Sequence, residues 1–141
     1  MQGSVNKLVM DDKGSTLICL WGLSPFSHED DGTRAILTAF NIIKELKKIN
    51  TWCNIGISSG ECFSGVVGTA GARKEFSVLG DVANLAARIM GSLKYQKNAI
   101  ACDQNTRILC QNQFSFNYGG HKEFKGKSIS MPIFVPIDPS A

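Results

Sequence analysis

An α+β sandwich, with helices laid against a mostly antiparallel sheet, is the fold the sequence predicts. Two observations carry that expectation. Short strand-like runs come in pairs joined by turn residues, and the stretches between them repeat apolar residues at helical spacing. Composition sets the frame. A chain of 141 residues, 43% hydrophobic and 19% charged, suits one domain spanning 1–141 with a core, not a disordered segment.

The elements follow in order. Residues 5–10 and 16–22 read as two strands, with Asp11, Asp12, Lys13, Gly14 and Ser15 supplying a hairpin turn. Ser24-Pro25 ends that unit. From Asp30 to about Ile49, the residues Ala35, Ile36, Ala39, Phe40, Ile43 and Leu46 form one helical face. Asp30 and Asp31 sit at the positive end of that helix, and Lys44, Lys47 and Lys48 at its negative end. TWCNIGISSGECFSGVVGTAG, residues 51–71, reads as two strands around a Ser-Ser-Gly turn. Its glycines at 65, 68 and 71 lead into another extended stretch, so they suit turns and bulges better than a phosphate loop.

A second helix is expected near 81–92, opened by Gly80-Asp81, with Val82, Leu85, Ala86 and Ile89 as its apolar stripe. Asn84 and Arg88 lie four residues apart and therefore one above the other on another face. By themselves they read as the solvated side of an amphipathic helix. Residues 98–103 suit a strand and 104–110 a short helix. Residues 114–137 suit two closing strands linked at Lys125-Gly126-Lys127. Both long helices are expected on one face of the sheet.

Several function classes are disfavoured. The net charge is +3, no basic run exceeds Lys47-Lys48, and no basic stripe alternates with aromatics, so nucleic acid is not an expected partner. Five cysteines without a C-x-x-C pair read as reduced thiols of an intracellular protein. Two distant histidines make a zinc site unattractive. The longest apolar run, LICLWGL, has seven residues, and the first residues carry no signal-peptide core, so no membrane insertion is expected.

Three motifs resemble the class III nucleotidyl cyclase catalytic domain: NKLVMDDKGSTLICLWGL, GISSGECFSGVVGTAGARKEFSVLGDVANLAAR and the late FKGK. The middle one is long and specific, and together they extend over almost the whole chain. Within the family, the chain is most similar to the second catalytic half of soluble, bicarbonate-responsive adenylyl cyclases. The resemblance implies a ferredoxin-like sandwich in a head-to-tail pair, with active sites at the interface. It implies that Asn84 orients the ribose and Arg88 stabilises charge around the α-phosphate. Lys7 and Ser77 would read the purine, favouring ATP over GTP, and Lys125 would hold the terminal phosphates, with Lys127 a weaker claimant. On the residues alone, Lys7 also fits an edge-strand charge, Ser77 a strand residue and Lys125 a turn lysine.

The family pattern also breaks in two places. The first strand, with its metal aspartate, and the first helices have no counterpart here, and Ser15 stands where a metal-supplying half has its second aspartate. Asp11 and Asp12 nearby fit turn chemistry. The expectation is therefore a truncated transition-state half, inactive alone. A complementary cyclase domain would hold the Mg²⁺ or Mn²⁺, with none bound by this chain. The alternative is a non-catalytic interaction or scaffold module. The resemblance also implies a cytoplasmic protein, cilium or flagellum included.

Overall fold

The computed structural model describes residues 4–11, 14–21, 31–60, 82–123 and 130–139. The first two strands, β1 (Ser4–Asp11) and β2 (Gly14–Leu20), form an antiparallel hairpin in which Asp11 faces Gly14 and the register shifts between Val5 and Lys7. Helix α1 (Asp31–Lys48) follows, burying Ile36, Ala39 and Ile43 along the stripe expected of it. It ends at Lys48, and Asn50, two residues on, has a φ of 58° that suits the left-handed turn that closes many helices. Strand β3 (Ile55–Ile57) leads on to helix α2 (82–91) and strand β4 (Ile100–Cys102). Helix α3 (Gln104–Cys110), β5 (Phe116–Lys122) and β6 (Met131–Pro136) complete the fold.

Four strands form one sheet in the order β3-β4-β6-β5. The β3–β4 pair is parallel, and the β4–β6 and β5–β6 pairs are antiparallel. The α+β class and the mostly antiparallel pairing hold. The helix at 104–110 matches its expected bounds. The expected second strand near the Ser-Ser-Gly turn, the extended stretch at 72–80 and the KGK link lie outside the described residues.

One expectation fails: the two long helices do not share a face. Successive strand residues point to opposite sides. On β3, Ile55 and Ile57 pack with Ala39, Ile43 and Ile100 under α1. Gly56, between them, lies against α2, where an added Cβ would sit 2.2 Å from the Ala86 carbonyl oxygen and 2.6 Å from the Met90 nitrogen. Likewise Ile100 joins the α1 side, while Ala101 packs with Ile89, Leu93 and Ile133 on the α2 side. An apolar stripe says that a helix is covered. It does not say which face of the sheet covers it.

Helix α3 shares the α1 side. Ile36, Cys110 and Phe114 are buried together, with Phe40 and Phe116 packed against them. The four cysteines among the described residues are free thiols. Burial pushes the Cys102 thiol up to about 12, so it packs as a small apolar group and stays protonated.

Helix α2 is held on β3 by Gly56 and by the two residues that flank the strand, Asn54 and Ser58. The Asn54 side-chain amide donates to the carbonyls of Leu93 (2.9 Å) and Gln96 (2.8 Å), and its oxygen accepts from Ala99 N–H (3.0 Å). The Ser58 hydroxyl donates to the Val82 carbonyl. Positions 54, 56 and 58 thus fix the end, the middle and the start of the helix.

Gly56→Ala is expected to destabilise the chain by about 1–3 kcal/mol, because the new methyl meets backbone that cannot swing away. Gly91→Ala is its control, since a Cβ there meets nothing within 4 Å. That change should leave stability level or raise it slightly. Urea midpoints of the three proteins compare them directly.

Candidate active site

The two parallel strands end at one edge of the sheet, and a groove of about 540 Å³ opens there. Its walls come from three places. Ser59 and Gly60 follow β3, Asp103, Gln104 and Asn105 follow β4, and Asn84 and Arg88 come from α2. Leu85 and Met131, which pack on the Ile89 cluster, join the lining and tie it to the core. Gly60 packs closely here: an added Cβ would meet a Val82 methyl at 2.3 Å and force that side chain to shift.

The wall opposite α2 is built by hydrogen bonds. Asp103 caps α3 from extended backbone, φ −81° and ψ 175°, and its carboxylate accepts from Thr106 N–H (3.0 Å) and the Thr106 hydroxyl (2.6 Å). Because the Thr106 proton is committed there, the Ser59 hydroxyl is the donor in its 2.7 Å bond to Thr106. The Ser59 backbone N–H also serves the Asp103 carboxylate. These bonds lock the turn after β3 onto the start of α3, so that wall of the groove is preformed. Burial outweighs the donors and pushes the Asp103 carboxyl above its ordinary range.

Asn84 and Arg88 are therefore brought together as expected, one turn apart on α2 and facing one groove, Asn84 exposed and Arg88 half-buried. Lys7 lies in β1 opposite Ile18, next to the register shift. Ser77, Lys125 and Lys127 lie outside the described residues. Ser15 is exposed and pairs with Met10 in the hairpin.

Sequence reasoning missed Asp103, Thr106 and Ser59. The signal was present in D-Q-N-T, a helix-capping pattern with an oxygen three residues before its N–H donor.

The groove is poorly furnished for a divalent cation among its described residues. Among the described residues no group of three or more His, Cys, Asp or Glu side chains converges. The carboxylate that lines the groove, Asp103, is 4% exposed and already engaged by three donors. Magnesium wants carboxylate oxygens free to complete an octahedron, so the described residues do not fit it.

The model of the adenylate and guanylate cyclase catalytic domain family matches residues 13–135. The chain belongs to this family. Adenylate cyclase type 10 of Homo sapiens is 37% identical over 108 residues, and that of Mus musculus 35%. The match takes in 74% of this chain and only 6% of either relative, so the chain spans a small part of those proteins. Two solved cyclases share the fold. The adenylyl cyclase CyaB from P. aeruginosa superposes with a TM-score of 0.70 at 18% identity, covering 96% of this chain and 72% of that one. The guanylate cyclase domain of RhGC from Catenaria anguillulae, solved with GTP, gives 0.67 at 22%, covering 94% and 72%. This cyclase domain has no described helix long and apolar enough to cross a membrane.

Asp103 supplies a test of the groove wall. A carboxyl raised in the folded state holds its proton more tightly folded than unfolded. Its contribution to stability is therefore largest in mild acid and declines as pH rises through the raised value. Asp103→Asn keeps an oxygen for the Thr106 N–H but does not titrate. The parent should gain stability relative to this variant as pH falls from neutral towards the ordinary carboxylate range. Urea titrations across that window measure it. A relative loss by the parent would mean that the three donors outweigh burial.

Proposed function

We propose that this chain is the transition-state and purine-binding half of an adenylyl cyclase. In this reading it turns ATP into cyclic AMP and pyrophosphate when paired head to tail with a complementary cyclase domain. The observation that carries the reading is the placement of Asn84 and Arg88 on one rigid helix, lining one groove whose opposite wall is locked by Asp103 and Thr106. In the reaction the ribose 3′-oxygen attacks the α-phosphorus in line and pyrophosphate departs. Arg88 offers a planar, permanently charged fork to the phosphoryl oxygens as charge develops there. Asn84, a neutral amide, orients the ribose. One turn of helix fixes their separation, and positioning is a large part of such catalysis.

Lys7 and Ser77 take the purine-reading roles and Lys125 the terminal phosphates, on the strength of the family motifs. The identity with adenylate cyclase type 10 favours ATP as the substrate, and the lack of a membrane-crossing helix among the described residues suits a cytoplasmic setting. Cyclase domains use magnesium or manganese. The engaged Asp103 supports assigning those ions to the partner domain. The same observation favours a second reading, a scaffold module that pairs without catalysis.

Combined with a metal-bearing half, the chain should form cyclic AMP in magnesium or manganese, and alone it should form none. Arg88→Ala should lower kcat of the pair by roughly 10²–10³, the scale for losing one preorganised donor, with KM nearly unchanged. A loss confined to KM would assign Arg88 to uniform ground-state binding. A stable pair without product in either metal would support the scaffold.

A further inference from the structure

At the end of α2 away from the groove, the fold gathers a basic and aromatic surface from two segments far apart in sequence. The end of α1 contributes Lys44, Lys47, Lys48, Ile49 and Trp52, and the turn after α2 contributes Lys94, Tyr95 and Lys97. Cys53 N–H reaches the Asn98 side chain at 3.4 Å, and Asn54 binds the carbonyls of Leu93 and Gln96, so the two segments are clamped side by side. Both turn through an asparagine in left-handed backbone, Asn50 (φ 58°) and Asn98 (φ 59°), which fixes their geometry.

This edge carries five lysines and one acid, Glu45, which pairs with Lys48 at 3.0 Å. It also exposes apolar bulk: Tyr95 is 90% exposed, Ile49 68% and Trp52 47%. Lys97 lies over the Trp52 ring at 5.5 Å and Lys94 over the Tyr95 ring at 5.0 Å.

We propose that this edge docks the domain onto an anionic lipid bilayer as a peripheral surface contact, without crossing it. Lysine ammonium groups answer the negative headgroups. Trp52 and Tyr95, apolar in body and polar at the tip, suit the headgroup layer, where such rings are enriched. Ile49 adds an aliphatic anchor that a nucleic acid has no means to use. Lysine ammonium groups lie over one face of each ring, so charge and apolar body are presented together. The groove lines α2 from Val82 to Arg88, whereas the basic turn follows the helix beyond its other end, after residue 91, so a docked domain keeps the groove open.

Co-sedimentation of the 141-residue chain with vesicles tests this. Binding is expected to vesicles containing phosphatidylserine and not to pure phosphatidylcholine, and it should fall steeply with added salt. Lys94→Glu with Lys97→Glu should weaken it at least tenfold, since each lysine near an anionic leaflet is worth roughly fivefold. Trp52→Ala should weaken it at unchanged charge. All these positions are exposed, and equal urea midpoints verify that the variants fold. Three outcomes each overturn the proposal: no preference for anionic vesicles, binding indifferent to these substitutions, or binding to a single-stranded oligonucleotide alone.

Discussion

Everything that bears on function hangs from the seating of α2 on β3. Three alternate positions, one in the strand and one at each of its ends, make that contact, each by different physics. Asn54 ties down the carbonyls at the helix end, Gly56 lets the two backbones approach with no side chain between them, and Ser58 holds the first turn. The residues in between, Ile55 and Ile57, belong to the opposite core under α1. A single extended segment thus serves two faces, and the strict alternation of a strand makes its register intolerant of slippage.

The groove and the basic edge both follow from that seating. Helix α2 runs along the sheet, so one end reaches the edge where β3 and β4 finish and the other reaches the edge where they begin. Ligands of open sheets with parallel strands tend to sit beyond the carboxyl ends of those strands. Asn84 and Arg88, in the first two turns, are carried to that side. Lys94, Tyr95 and Lys97, just past the last turn, are carried to the other, beside the end of α1. A rigid helix keeps the two surfaces apart and on the same body.

The site was partly legible because some of its signals are local. The four-residue spacing of Asn84 and Arg88 is a property of any helix, and the motifs around them are themselves those of the cyclase family. The capping role of Asp103 is equally local, written in the spacing of its side-chain oxygen and the Thr106 N–H. That Asp103 is consumed by Thr106 and Ser59 needed the turn after β3, which lies 44 residues away in the chain from Asp103 at Ser59.

By itself the sequence determined the elements and their kind: the hairpin, the stripe of α1, the apolar side of α2, the short α3 and the closing strands. Periodicity is written residue by residue, and it decides whether a segment is helix or strand and which of its sides is covered. The tertiary structure alone decided which face of the sheet each helix covers, placing α2 opposite α1 where a shared face was expected. It alone placed Trp52 beneath Lys97 and joined two modest lysine clusters into one surface. The physical reason is common to both. A stripe or a charge states what a side chain seeks, while its partner is set by backbone approach, and here a glycine on β3 set it.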